Sequence, residues 1–259
     1  MRQSNAPSNQ SLDRALRLLD RLASTGSEMT IGDICEYINV SKSTAYSMIQ
    51  SFLAAGYLER NTENGKYSVG YKFYENGMAY RYKFPFIHVA SKHAQSYSQK
   101  YAVRVTVAVL CGLDKAIQIL TFDSSPIPDM AWGYALPSYS AAVGKVLLAY
   151  RNEEQVYDWL EGAQLTKYTP TTTTNVDTIM NQLRKARKDG YYVAFGEYNP
   201  ARVCIAAPVF DMAGRCIAAF SFQVSPEDMD SRGTELVTAV KLAARSISSD
   251  LGYKDFGGI

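Results

Sequence analysis

Histidine is almost missing from this sequence: its 259 residues hold two, His88 and His93. Five positions apart, they would fall on different faces of a helix, so neither a paired-histidine metal site nor a Ser-His triad is supported. The four cysteines, Cys35, Cys111, Cys204 and Cys216, are scattered with no CxxC spacing. That excludes the usual zinc and dithiol patterns and predicts reduced thiols in a cytoplasm. GxSxG, Walker and dinucleotide glycine patterns are absent, and Asp123, Asp129, Glu197 and Asp211 supply carboxylates without a catalytic pairing. No enzyme, metal or cofactor is therefore expected. No run is long and apolar enough to span a bilayer. The polar start from Met1 to Gln10 lacks the apolar centre of a secretory signal.

A hydrophobic content of 47% and a charged content of 20% fit globular domains, and the length suits one small domain and one larger. The net charge of +2 neither demands nor excludes nucleic acid. In the first seventy residues Arg2, Arg14, Arg17, Arg21, Lys42, Arg60 and Lys66 are matched by Asp13, Asp20, Glu28, Asp33, Glu36, Glu59 and Glu63. Local distribution must decide.

Leu12, Ala15, Leu16, Leu19 and Leu22 recur at helical spacing, predicting an amphipathic helix that Gly26 stops. Thr30 and Asp33 have the spacing of a capped helix start, for a short second helix carrying Ile31, Ile34 and Ile38. Asn39 and Val40 form a turn. Ser41 then caps a third helix whose Ala45, Met48, Ile49, Phe52 and Leu53 form one apolar stripe, with Gly56 at its end. Its other face carries Lys42, Ser43, Tyr46, Ser47 and Gln50, and no acid stands between Tyr37 and Leu58. A major-groove helix needs such donors and acceptors, and its first turn, with Ser41, Lys42, Ser43 and Thr44, offers amides to phosphate. Downstream, YLERNTENGKYSVG predicts two short strands around Asn64-Gly65, a wing with Lys66 near its tip. A helical bundle with a merely solvated polar face is the alternative.

The segments SLDRALRLLDRLA, SKSTAYSMIQSFLAAGYLER and GKYSVG resemble the DNA-binding domain of IclR-type regulators. The resemblance extends over nearly the whole chain. SKSTAYS, SAAVGKVLLAYR and LGYKDF are most similar to the regulators of sugar-acid catabolism, such as those for ketodeoxygluconate. It implies double-stranded operator DNA as partner, contacted by Arg14, Thr30, Ser41, Lys42, Ser43, Thr44, Tyr46, Ser47, Gln50 and Lys66. Ser47 replaces an arginine common in the family. It further implies a homodimer, or a dimer of dimers, and a small carboxylate effector.

The sequence divides into a winged helix-turn-helix over 1–70, a linker helix over 71–84 and an effector domain over 85–259. The linker is rich in Tyr and Phe from about Tyr71 to Lys83 and ends at Pro85. The resemblance assigns it dimer contacts, although aromatics at helical spacing also form core. Beyond it, VRVTVAVL and KAIQILTF predict one antiparallel hairpin, and VCIAAPVF and CIAAFSFQV a second. Helices are predicted near Ser140 to Arg151, Glu153 to Glu161, Asn175 to Asp189 and Ser231 to Leu251. Strand pairs separated by helices predict an α+β domain with a mostly antiparallel sheet; the resemblance implies a fold like GAF and PAS domains.

In LPSYSAAVGKVLLA, Ser140 is the expected N-cap, and Ala142, Val143 and Gly144 leave first-turn amides open to a carboxylate. The same small residues would also serve close helix-on-sheet packing. The resemblance places the acid group of the effector at this turn and adds Glu197, Cys204 and Ser221 to the pocket. Where relatives carry an acid the sequence has Ala194, and where they carry a glycine it has Ala201. Trp132, Tyr134 and Tyr139 form either an aromatic wall or half-buried packing. Arg202 is either a second carboxylate anchor or solvated. A different class of function stays open: a GAF-like binding or catalytic domain whose N-terminal helices serve protein contacts.

Overall fold

The computed structural model describes residues 9–123 and 133–254. Two compact units divide between Phe84 and Pro85. Among the described residues no helix is long and apolar enough to cross a membrane.

The N-terminal unit begins with α1 (Gln10–Thr25), capped by the Asn9 side chain and closed by Gly26 in the left-handed region. Its core residues are Leu18, Leu19 and Leu22, while Leu12 and Leu16 are about half exposed. The expected stripe is thus corrected: only the second half of the helix is covered, and the side that it buries is centred on Leu18. Helix α2 (Ile31–Ile38) opens with a complete capping box between Thr30 and Asp33 and ends at Asn39 with φ 51°. Helix α3 (Lys42–Ala54) starts at the predicted Ser41 cap. Leu18, Leu19, Leu22, Ile34, Ile38, Ala45 and Ile49 share one core with Leu58 and Tyr67. These last two belong to β1 (Leu58–Arg60) and β2 (Tyr67–Val69), which pair antiparallel as the wing. A side chain at Gly70 would run into the Gly56 carbonyl, so a bare backbone is needed where strand meets helix end. The unit ends in α4 (Lys72–Arg81), one residue shorter at its start than expected and two at its end, with no residue buried. Tyr71, Tyr74, Tyr80 and Tyr82 are exposed, while Phe73 packs against the core of the unit, edge-on to Tyr57; the core reading of the aromatics holds for that one residue and not for these tyrosines.

The C-terminal unit runs α5 (Ile87–Tyr101), β3 (Arg104–Cys111), β4 (Lys115–Phe122), β5 (Ala135–Pro137), α6 (Ala142–Ala149), α7 (Glu153–Gly162), α8 (Val176–Asp189), β6 (Tyr192–Phe195), β7 (Val203–Phe210), β8 (Cys216–Val224) and α9 (Pro226–Asp250). The strands form one sheet in the order β5-β4-β3-β8-β7-β6, and every neighbouring pair is antiparallel. The two hairpins appear as the sequence predicts. The edge strands β5 and β6, of three and four residues, are too short to show alternation. Helix α9 begins at Pro226 behind a Ser225 cap, and leaves helical geometry at Arg232; the expected start at Ser231 corresponds to that interruption.

Alternation along the strands gives the sheet two faces. Val105, Val107, Ile205, Phe220 and Phe222 are buried on the face covered by α5 and α9, where Tyr97 and Tyr101 meet Phe220 and Phe222. The opposite face carries Ala108, Ala116, Ala194, Ala206 and Ala219, on which α6 lies through Ala142, Val143, Val146 and Leu147. Alanine under a helix allows close approach. Beyond the start of α6 the same strands change to polar residues, and that change positions the site.

Candidate functional site

Strand register fixes the floor of a cleft at the beginning of α6. On β3 and β8, Ala108 faces Ala219, Thr106 faces Ser221 and Arg104 faces Gln223, while Cys204 on β7 faces Gln223 from the other side. Each step of two residues therefore carries the face from alanine to hydroxyl to amide and guanidinium. Arg104, Thr106, Cys204, Ser221 and Gln223, with Gln118 of β4, Ser140 to Val143, and Glu197, Asn199 and Arg202 of the β6-β7 loop, line a cavity of about 320 Å³.

The end wall is the N-terminus of α6. Its cap is Ala141, with extended backbone and no side-chain hydrogen bond. This corrects the expectation for Ser140, which is fully buried and reaches only the Pro137 carbonyl, at 3.5 Å. With no side chain accepting from it, the first turn at Ala142 and Val143 presents amides and the positive end of the helix dipole to the cleft. Gly144 does not line the cavity, against expectation. A side chain there would collide with the Ser138 backbone, so its role is the close packing that the sequence also allowed.

Glu197 lies at the cleft edge, 7% exposed, against a fully buried Lys145. The Lys145 ammonium donates to Glu197 Oε2, to Gln182 Oε1 at 2.7 Å and to the Tyr192 hydroxyl at 3.1 Å, and that hydroxyl donates to Glu197 Oε1 at 2.7 Å. Every ammonium proton and both carboxylate oxygens are engaged. Burial pulls the Lys145 pKa down and the Glu197 charge pulls it back up; burial and the same carboxylate raise Tyr192. The network neutralises the acid beside the cleft, so an anion entering it meets no net negative charge from Glu197. Sequence reasoning did not single out Lys145.

The remaining cations differ in setting. Arg104 Nε donates to Asp123 Oδ2 at 2.9 Å. Arg202 is exposed at the rim, and among the described residues it has no ion-pair partner. Burial pushes the Cys204 thiol up to about 11, which leaves a neutral sulfhydryl. Ser221 donates to the Thr106 carbonyl at 3.2 Å.

Of the expected aromatic wall, Trp132 lies outside the described residues. Tyr134 lines the cleft, its hydroxyl 2.8 Å from that of Tyr198. Tyr139 does not; it is buried beside α7 and α8, its hydroxyl bonded to the Thr166 carbonyl at 2.7 Å. The structure thus brings Ser140, Ala142, Val143, Glu197, Arg202, Cys204 and Ser221 together and adds Arg104, Thr106, Gln118, Tyr198 and Gln223. Gln223 follows Ser221 by two residues, a signal present in the sequence. Arg104, Thr106 and Gln118 needed the order of strands.

In the N-terminal unit, Lys42, Ser43, Thr44, Tyr46, Ser47 and Gln50 form the exposed face of α3, while Ala45 and Ile49 face inward. Ser41 Oγ receives the Thr44 amide at 3.3 Å and lies 2.9 Å from the Thr44 hydroxyl. Thr30 is similarly engaged, by Asp33. Both hydroxyls hold helix starts. Arg14 and Lys66 are half-buried, and Lys66 acts electrostatically on Glu28 and Asp33. Glu28 also takes the Asn61 and Asn64 amides at 2.9 and 2.7 Å, tying down the wing tip.

Among the described residues no group of three or more His, Cys, Asp or Glu side chains is arranged to hold a metal ion. His93 instead lies 2.8 Å from Asp250.

Comparison with known proteins matches residues 11–62 to the family model described as the IclR helix-turn-helix domain and residues 82–249 to that of the bacterial transcriptional regulator IclR C-terminal domain. The HTH-type transcriptional regulator XynR of Escherichia coli is 30% identical over 251 residues, covering 95% of this chain and 99% of that protein. KdgR of the same organism is 31% identical over 251 residues, covering 95% of each. Among solved structures, the Thermotoga maritima IclR superposes with a TM-score of 0.77 at 27% identity, covering 94% of this chain and 99% of that one. The similarity to KdgR agrees with the sugar-acid branch of the sequence resemblance.

Proposed function

Because this chain belongs to the IclR family of transcriptional regulators, which join a helix-turn-helix to an effector-binding C-terminal domain, we propose that a small carboxylate bound in its cleft controls operator binding. The observation that carries this is the start of α6, free of a side-chain cap, facing a cleft whose only lining carboxylate among the described residues is neutralised by a buried lysine. The effector acid docks at the amides of Ala142 and Val143, with Arg202 as second anchor. A sugar acid is the first choice, given the similarity to KdgR. An aromatic acid is the second, favoured by Tyr134 and Tyr198 at the cleft.

Residues 1–70 read the operator, 71–84 link and 85–259 sense. The α3 face enters the major groove, with Lys42 and the first-turn amides on phosphate and Gln50, Ser47 and Tyr46 toward base edges. A homodimer presents two such heads to half-sites one or more helical turns apart. The effector shifts their placement by binding two states with different affinity, a coupling on the order of 1 to 3 kcal/mol. A dimer of dimers would extend the same geometry.

The test is binding to the DNA upstream of the protein's own gene across a salt series, with and without sugar acids and aromatic acids. Specific, salt-dependent binding altered by one acid is the expected result. Binding no better than to random DNA in every condition would overturn it and favour the protein-contact alternative.

A further inference from the structure

Among the described residues, two buried side-chain polar atoms lack a hydrogen-bond partner: Gln118 Oε1 and Thr121 Oγ1. Both lie on β4. Gln118 stands opposite Ala108 and Thr121 opposite Thr106, so both belong to the sheet face that carries the cleft, and Gln118 lines it. The backbone of Gln118 is fixed on both sides, its N–H donating to the Tyr134 carbonyl at 3.0 Å and its carbonyl accepting from Gly133 at 2.8 Å. The side-chain oxygen Oε1 is what is left unsatisfied. Buried polar groups are almost always paired in folded proteins, and an exception calls for a missing partner.

We infer that Gln118 selects a hydroxylated aliphatic acid as effector, its amide oxygen accepting from a ligand hydroxyl while the ligand carboxylate sits at the start of α6. The inference rests on the carboxylate-effector reading of the cleft and narrows its two ligand classes to one. The terminal amide torsion of glutamine is broad, so the group turns toward a hydroxyl at little cost. A hydroxyl both donates and accepts, and therefore satisfies the amide whichever end faces it. The central strands agree: Thr106 of β3 and Ser221 and Gln223 of β8 offer hydroxyl and amide groups, while a large apolar side chain enters the lining from the edge strand, as Leu136 of β5. An aromatic acid would cover these groups without pairing them, and sites built to bond a hydroxyl reject analogues that lack it.

The test is calorimetric titration of the full chain with gluconate, 2-keto-3-deoxygluconate, hexanoate and benzoate, for the wild type and for Gln118→Met. Expected is tighter wild-type binding of at least one hydroxy acid than of hexanoate or benzoate. Gln118→Met should weaken that hydroxy acid roughly tenfold, yet leave the Tm of the ligand-free protein unchanged or raised, because an unsatisfied buried group has gone. A merely structural glutamine would lower the Tm instead. Unchanged hydroxy-acid affinity in Gln118→Met overturns the inference. So does wild-type binding of hexanoate or benzoate as tight as that of the hydroxy acids, a comparison that holds even if the variant does not fold. In both cases the carboxylate reading stands. Binding of none of the four acids overturns both.

Discussion

Lys145→Met removes the buried cation and leaves the Glu197 carboxylate, 7% exposed, with Tyr192 as its remaining side-chain donor. Breaking a buried ion pair from one side costs about 3 to 5 kcal/mol, because the surviving charge is stranded. Glu197 borders a cleft, where water reaches part of it, so the lower end applies: about 3 kcal/mol, or roughly 6 to 12 °C in Tm for a domain of this size. Glu197→Gln strands the opposite charge on a fully buried ammonium and should cost a similar amount, with burial pulling the lysine further toward its neutral form. The double variant strands neither charge. Its loss should fall short of the sum of the single losses by about 2 kcal/mol or more. Urea denaturation of the four proteins at pH 7 measures this cycle. Single losses below about 1 kcal/mol, or losses that simply add, would refute the view that the pair is a closed buried unit. Lys145→Met should also weaken carboxylate binding, since it leaves an unneutralised acid beside the ligand.

Lys42→Ala combined with Gln50→Ala should weaken specific operator binding and leave effector affinity intact, as measured by DNA titration beside calorimetry; loss of both would indicate damage to the fold. A pH effect is expected at the wing. Hydrogen bonds from Asn61 and Asn64 hold the Glu28 carboxyl below its ordinary value of 4.5. A carboxyl lowered in the folded state contributes stability that is present above that value and lost as pH falls through the folded pKa. Amide protection factors of residues 58–69, taken relative to the intrinsic exchange rate at each pH, should therefore fall on acidification in the wild type, and Glu28→Gln should remove that pH dependence.

Much of this architecture was legible in the sequence wherever one element carried its own signal. Caps at Thr30 and Ser41, the turn at Asn39 and the β-branched hairpins depend on neighbours in the chain, and they appear as the residues predict. What depended on tertiary context was not legible. Leu12 and Leu16 have the spacing of core residues, but burial is decided by how far the neighbouring helices reach. Ser140 has the chemistry of a cap, but the turn from Pro137 buries it one residue too early. Arg104, Thr106 and Gln118 joined the cleft only because β3 lies between β4 and β8, an order that no local pattern encodes. The Lys145–Glu197 pair spans 52 positions, and lysine within an apolar helical stretch looks from sequence like a solvated residue.

The walls of the cleft also differ in compliance. Helix α6 is pressed onto a bed of alanines and locked by Gly144 against Ser138, so its first turn is a rigid reference surface. The facing stretch from Gly196 to Arg202 is a loop, turning at a glycine with φ 65° and tied to the body through the Lys145 and Thr172 contacts of Glu197. Ligands that share an acid group but differ in length would register against the same rigid end and displace the loop by different amounts. On the proposed function, substitutions from Tyr198 to Arg202 should therefore retune which acid is sensed while the packing that sustains the fold is left alone.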